Sequence, residues 1–290
     1  MLPSSKQTQP YYYVPEESTS PLLGTVALFS MAMGATFLFN NMPWGWPLLS
    51  LGLVLISIMM WLWFGDVIKE GLKGLNSERV CASFRWGMGW FIFSEVMFFL
   101  ALFFALFYVR LVALPDLSTA EASSYLWGWY GTDFSGHWPM VGAKYVLPFS
   151  PVAAFGIPAI NTAVLLMSGA TLTLSHNALC DEEMTPGLVW LAFTVLLGMI
   201  FVVSQAVEYH HAVADGLFLS SGVYGSLFYL LTGFHGFHVS VGCIMLFVIW
   251  LRMYRGHLSA TNHFSFEAIA WYWHFVDVVW LILFVFVYWM

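Results

Sequence analysis

Long runs of apolar residues fill the chain from about residue 22 to its end, and short polar segments separate them. A helix that crosses a bilayer needs about 20 mostly apolar residues. Seven segments meet this requirement: 22–40, 46–64, 86–109, 158–176, 187–207, 222–251 and 266–289. The pattern therefore predicts an all-α integral membrane protein with seven transmembrane helices.

The connections between the predicted helices divide the chain. The first two helices form a hairpin over residues 22–64, because only the segment NNMPWGWP separates them. A polar tail, residues 1–21, precedes the hairpin, and an inner loop, residues 65–85, follows it. The remaining five helices form a bundle over residues 86–290, whose one long connection, 110–157, predicts a lobe on the outer face.

Composition supports a membrane protein and excludes several other classes. Hydrophobic residues make up 60% of the chain and charged residues only 9%, whereas soluble domains have about 25% charged residues. The net charge of −7 comes without a basic cluster, so nucleic acid is not an expected partner. The three cysteines show no CxxC spacing, so neither a disulfide framework nor a cysteine metal site is indicated.

The Lys and Arg residues predict the orientation, because basic residues concentrate in cytoplasmic loops. With seven spans, one side of the membrane has seven of these residues and the other side has two. The first group is Lys6, Lys69, Lys73, Arg79, Arg85, Arg252 and Arg255, and the second is Arg110 and Lys144. We therefore expect a cytoplasmic N-terminus and a C-terminus on the outer face.

Glu95 lies near the middle of the third predicted helix, among apolar and aromatic residues. A charged side chain at that depth costs a few kcal/mol or more. Two interpretations stay open: a carboxyl that exchanges protons, or a carboxyl whose hydrogen bond locks two helices together.

His235 and His238 lie one turn apart on the sixth predicted helix, and the last helix adds His274. Three histidines allow a metal or haem site, but hydrogen bonds between helices are the favoured interpretation. On the last helix, Glu267, His274 and Asp277 fall within roughly 80° of arc and form one polar face. That face must meet other protein, lipid headgroups or water.

Two further polar groups lie near predicted helix ends. Glu208 precedes His210 and His211, an arrangement that allows cation binding but more often solvates a helix end. On the inner face, Asp66, Lys69, Glu70, Arg252 and His263 have the depth of lipid headgroups. An Arg at the end of a span pairs naturally with a lipid phosphate, although ordinary snorkelling of charged side chains is the alternative.

Several strings of residues resemble subunit III of the haem–copper cytochrome c oxidases. The longest is Phe266-Glu-Ala-Ile-Ala-Trp-Tyr-Trp-His-Phe-Val-Asp-Val-Val-Trp280-Leu. Others are Thr232-Gly-Phe-His-Gly-Phe-His238-Val, Ser94-Glu-Val-Met-Phe-Phe, Asp66-Val-Ile-Lys-Glu70 and Leu165-Leu-Met-Ser-Gly. They follow the family's order along nearly the whole chain after residue 20.

The resemblance implies a two-helix hairpin separated from a five-helix bundle by a V-shaped cleft that holds phospholipid. It implies no catalytic residue, metal or redox cofactor in this chain, because the haems and copper belong to subunits I and II. Glu95 matches the family's intramembrane carboxyl, and Trp63, Glu70, Arg252 and His263 match or neighbour its lipid-binding positions. Polar contacts inside the membrane are expected for His235, His238, Glu267, His274 and Asp277.

The implied function is that of a non-catalytic core subunit in a proton-pumping oxidase of aerobic electron transport. Its expected partners are subunit I as the main contact, subunit II, small subunits and phospholipids, and cytochrome c is the substrate of the whole complex. The polar tail and the long third connection favour the bacterial plasma membrane over the mitochondrial inner membrane. A ubiquinol oxidase subunit and a stand-alone transporter are the alternatives, but the former usually has five spans and the latter often shows inverted repeats.

Overall fold

The computed structural model describes residues 17–117, 138–139 and 151–290. These residues form seven helices that are long and apolar enough to cross a membrane. The helices are α1 (Ser20–Phe39), α2 (Gly45–Leu72), α3 (Glu78–Leu117), α4 (Ile157–Cys180), α5 (Met184–Ala214), α6 (Val223–Tyr254) and α7 (Phe264–Trp289). The predicted all-α fold with seven spans is confirmed, whereas most of the predicted tail and outer lobe lies outside the described residues.

Most helices are longer than their apolar segments. Helix α2 continues past the predicted end at residue 64 as far as Leu72, and α3 begins at Glu78. The added turns contain charged residues, such as the exposed pair in which Lys69 Nζ lies 2.9 Å from Asp66 Oδ1. Apolarity therefore marks only the hydrocarbon-crossing part of a helix, because backbone hydrogen bonding continues where side chains reach headgroups and water.

Helices α1 and α2 pack along each other and belong to one compact unit, Met1–Trp86. Gly52 of α2 lies against the backbone of α1. A Cβ atom at this position would lie 2.7 Å from the Met31 amide nitrogen and 2.8 Å from the Ala27 carbonyl oxygen. The absence of a side chain at Gly52 thus permits the close approach that van der Waals packing of membrane helices requires.

The second compact unit is Gly87–Met290. In it α4 packs on α5, α5 on α6 and α6 on α7, and α7 returns to α4. Aromatic contacts join α3 to this closed group of four helices, for example Phe98 with Phe234 at a centroid distance of 5.0 Å. This unit contains the large buried side chains Trp273 and Trp280.

Hydrogen bonds satisfy the two buried tryptophans. Trp273 Nε1 donates to Ser168 Oγ at 2.9 Å, and Trp280 Nε1 donates to Thr162 Oγ1 at 2.9 Å. Both bonds run from α7 to α4. Each indole N–H therefore sets the register of these two helices, because an unpaired polar group in hydrocarbon is costly.

Replacing Gly52 by Ala should destabilise the hairpin by roughly 1–3 kcal/mol, because the added methyl group meets the α1 backbone, which cannot move aside. Thermal unfolding of the purified protein, followed by circular dichroism, measures the effect. Gly65→Ala on the same helix is the matched control, since a Cβ atom there meets nothing within 4 Å. Equal unfolding temperatures for both variants would contradict close packing at Gly52.

Candidate functional site

Glu95 and His238 form a buried pair between α3 and α6. Glu95 Oε2 lies 2.8 Å from His238 Nε2, although 143 positions separate the residues in the chain. The exposed fractions of the side chains are only 22% and 10%, respectively. The intramembrane carboxyl therefore has a specific partner on a neighbouring helix.

The second ring nitrogen of His238 limits how protons can occupy the pair. His238 Nδ1 lies 2.6 Å from the Phe234 carbonyl oxygen. A carbonyl oxygen only accepts hydrogen bonds, so Nδ1 is the donor. Nε2 then either accepts from a neutral Glu95 carboxyl or, in an imidazolium, donates to a carboxylate. In both states a single proton lies between the two side chains, and it can shift from one to the other.

Aromatic rings enclose this pair. The His238 ring lies 5.1 Å from the Phe99 ring and 6.3 Å from each of the Phe98 and Tyr272 rings. The Tyr272 hydroxyl donates to the His238 carbonyl oxygen at 3.2 Å. The apolar walls strengthen the electrostatic interaction inside the pair, because the effective dielectric constant is low there.

Asp277 and His274 form a second acid–histidine pair on α7. Their closest atoms, Asp277 Oδ2 and His274 Nδ1, lie 3.5 Å apart, and the exposed fractions of the side chains are 9% and 47%. Gly169 of α4 leaves room for this carboxyl, since a Cβ atom there would overlap Asp277 Oδ2. Asp277 Oδ1 is buried without a hydrogen-bond partner among the described residues.

His235 has different surroundings from His238, although one turn separates them. Its ring stacks on Trp280 at 5.1 Å and meets the edge of Phe201 at 5.7 Å. Both ring nitrogens are buried and lack hydrogen-bond partners in the part of the chain that the structure describes. The structure therefore does not bring His235, His238 and His274 together as one ligand set.

The sequence favours Glu208 as a residue that solvates a helix end, but in the structure it is buried. Only 3% of it is exposed, and its Oε1 accepts hydrogen bonds from the Tyr288 hydroxyl at 2.6 Å and Gln205 Nε2 at 3.4 Å. His210 and His211 are exposed beside it. Tyr288 is 80 positions away, so the sequence does not indicate its contact with Glu208. The sequence signal that could have pointed to this cluster is the Gln205–Glu208 spacing, which places both residues on one helix face.

The candidate lipid-binding residues differ in their contacts and in their exposure. Arg252 Nη1 donates to Ser265 Oγ at 2.8 Å, while its Nε is buried without a partner among the described residues. His263 Nε2 lies 3.4 Å from Glu267 Oε1 at the start of α7. Trp63 of α2 is 49% exposed, and Glu70 on the same helix is half-buried.

Comparisons with known proteins agree with the fold and the motifs. A family model for cytochrome c oxidase subunit III matches residues 9–290. Cytochrome c oxidase subunit 3 of Branchiostoma lanceolatum is 41% identical over 286 residues, which cover 98% of this chain and 97% of the relative. The same subunit of Tetraodon nigroviridis is 40% identical over 281 residues, or 96% of each chain.

These matches extend over nearly the full length of this chain and of each relative. The described residues form seven membrane-length helices, whereas a ubiquinol oxidase subunit usually has five. The resemblance expected from the sequence is confirmed. The chain belongs to the cytochrome c oxidase subunit III family, and it is therefore a multi-pass membrane subunit of the respiratory-chain oxidase, where it assembles with other oxidase subunits.

Proposed function

We propose that this chain is a non-catalytic core subunit that docks on subunit I, binds structural phospholipid and supports proton uptake by a proton-pumping oxidase. The observation on which the proton role depends is the 2.8 Å contact between Glu95 Oε2 and His238 Nε2. By supporting proton supply, the subunit prolongs the working life of the oxygen-reducing site in subunit I.

The pair suits proton exchange for two reasons. First, the hydrogen bond from His238 Nδ1 to the Phe234 carbonyl leaves Nε2 facing the carboxyl, so the shared proton has two alternative positions. Second, the pair is not completely enclosed, since 22% of the Glu95 side chain is exposed.

We assign the redox centres to subunits I and II, as the family resemblance implies. The orientation of the buried histidines supports this assignment, because axial haem ligands must face a common pocket. His238 faces Glu95, whereas His235 faces Trp280 and Phe201.

Docking on subunit I is supported by the large apolar side chains on the outside of the bundle, such as Phe104 and Phe237, of which 69% and 63% are exposed.

Arg252 is the strongest candidate for a lipid contact. It is the last-turn basic residue of α6, so its depth matches that of headgroups. Its buried Nε lacks a partner among the described residues, and a guanidinium presents several N–H groups in the geometry of a phosphate. We propose that Arg252 binds a phospholipid phosphate, with Trp63, Glu70 and His263 as further candidate contacts.

The described residues form seven membrane-length helices, and this odd number supports opposite locations for the two termini. Together with the distribution of Lys and Arg, this supports an N-terminus in the cytoplasm and a C-terminus in the periplasm. The bacterial plasma membrane stays a prediction from the polar tail and the long connection.

Glu95→Gln should preserve assembly, because the amide N–H group can still donate to His238 Nε2. It should slow proton uptake and shorten the lifetime under turnover several-fold, since an amide does not exchange that proton. Proton-uptake kinetics and the decay of oxygen consumption in the purified complex measure both effects. Glu183→Gln is the control, because Glu183 is an exposed carboxyl outside the bundle core.

Glu95→Ala gives a second, separable effect. It leaves His238 Nε2 without its partner, which costs about 1–3 kcal/mol, so the thermal stability of the complex should fall relative to Glu95→Gln. Equal proton uptake and lifetime in wild type and Glu95→Gln would reduce Glu95 to a structural contact.

Arg252→Ala should lower the amount of phospholipid retained by the purified complex, because it removes the guanidinium that pairs with the phosphate. Lipid mass spectrometry, normalised to complex, measures the loss. Arg255→Ala is the matched control, since Arg255 is exposed at the end of the same helix. Equal lipid retention in both variants would contradict the headgroup role of Arg252.

A further inference from the structure

Four side chains that can bind metals meet where the end of α4 lies beside the start of α7. His176 and Cys180 are one turn apart in the last two turns of α4, and His263 and Glu267 are one turn apart at the start of α7. Each helix thus contributes two ligating side chains from the same face. The ligand atoms of His176, Cys180 and His263 all lie within 4.8 Å of one another.

The individual distances approach those of a coordination sphere. Cys180 Sγ lies 4.0 Å from His263 Nε2, and Glu267 Oε1 lies 3.4 Å from the same nitrogen. Ligands at about 2.0–2.3 Å around a tetrahedral zinc ion are roughly 3.3–3.8 Å apart. The two distances above are close to this range, so we expect side-chain rotation to bring these atoms around one ion.

Local contacts orient both histidines of the cluster: a hydrogen bond for His263 and ring stacking for His176. His263 Nδ1 lies 3.1 Å from the Ser259 carbonyl oxygen, so Nδ1 is a donor, and in the neutral imidazole Nε2 presents its lone pair toward Cys180 and Glu267. Metal-bound histidines almost always use their second ring nitrogen in this way. The His176 ring stacks on Phe266 at 5.2 Å, and His176 Nε2 is buried without a hydrogen-bond partner among the described residues.

Access to the cluster is open from two sides. Cys180 is exposed, and a cavity of about 210 Å³ adjoins His176 and Glu267. The cavity is also lined by Thr173 and His274. A hydrated ion can therefore reach the ligands without unfolding either helix.

We propose that His176, Cys180, His263 and Glu267 form a zinc site that ties the end of α4 to the start of α7. Two imidazoles, one thiolate and one carboxylate match the mixed nitrogen, sulfur and oxygen ligands that zinc accepts. Four protein ligands fill a tetrahedral shell, so the site is structural and leaves no position for a substrate. Binding transfers the Cys180 thiol proton to solvent as the zinc–sulfur bond forms.

This site is independent of the proposed proton role, and it makes His263 a metal ligand in place of a candidate lipid contact. The sequence predicts a chain without metal because no zinc motif is visible. The two ligand pairs are separated by the whole of α5 and α6, and Cys180 and His263 are 83 positions apart. Only the packing of α7 on α4 joins them.

Zinc protection of the Cys180 thiol tests the site in the wild-type complex. The purified complex is treated with chelator, dialysed, and alkylated with a maleimide in the presence or absence of zinc. Mass spectrometry of the peptides then gives the alkylation rate of each cysteine. Zinc should slow the modification of Cys180 on the order of tenfold or more, since a coordinated thiolate is not free to react. Cys81 of the same chain is the internal control, and zinc should leave its rate unchanged.

Variants distinguish a built site from surface adsorption. His263→Ala and Cys180→Ser should each remove one equivalent of zinc from the complex after dialysis against micromolar zinc, measured by elemental mass spectrometry. His210→Ala, at an exposed histidine on α5, should retain it. X-ray absorption at the zinc edge should show one sulfur neighbour at about 2.3 Å in wild type, which Cys180→Ser removes.

Two results would overturn the proposal. One is a Cys180 alkylation rate that does not change with zinc in wild type, a measurement that requires no variant to assemble. The other is equal zinc content in wild type, Cys180→Ser and His263→Ala. A loss of proton uptake in Glu95→Gln has no bearing on either result, so the two proposals succeed or fail separately.

Discussion

The cost of an ionisable or polar group inside the membrane is the constraint on which the rest of this structure depends. Hydrocarbon provides no hydrogen-bonding partner, so a polar group there is stabilised when it finds one within the protein. Glu95 finds His238, Glu208 finds Tyr288 and Gln205, and Trp273 finds Ser168. Nearly every one of these contacts joins two different helices. The polar residues therefore determine which helix faces meet, whereas apolar packing alone would allow many arrangements.

The same constraint separates the inside of the bundle from its surface. Polar contacts are concentrated on the faces that α4, α5, α6 and α7 present to one another, and α3 joins them through Glu95 and its aromatic neighbours. The outward faces are mostly apolar, which suits lipid and neighbouring oxidase subunits. A subunit of cytochrome c oxidase built in this way can stabilise a catalytic partner over a large surface. Among its interior carboxyls, Glu95 is the one for which a proton role is proposed.

Different chemistry is concentrated at different depths of the bundle. The Glu95–His238 pair lies deep in the membrane-spanning part of α3 and α6, where a shared proton is the natural mobile species. Where the end of α4 meets the start of α7, the groups include a thiol and several imidazoles, and water is accessible. Metal coordination is favoured there because the ion and its displaced protons can exchange with solvent. Arg252, in the last turn of α6, has the depth of lipid phosphates. Membrane depth thus separates the proton role from the other two, because Arg252 contacts Ser265 at the start of α7, the same end of the bundle as the metal cluster.

The sequence by itself determined the seven spans, the all-α class and the family, because apolar length and motif order are properties of the chain in one dimension. It also identified Glu95, His238, Glu267, His274 and Asp277 as residues that need partners. It could not identify those partners. His238, the partner of Glu95, is 143 positions away from it, and Tyr288, a partner of Glu208, is 80 positions away from it. Helical periodicity gives the face on which a side chain lies but not the helix opposite that face. Only the tertiary packing decided that Glu208 is buried, that His235 and His238 have separate surroundings, and that His176 and Cys180 lie beside His263.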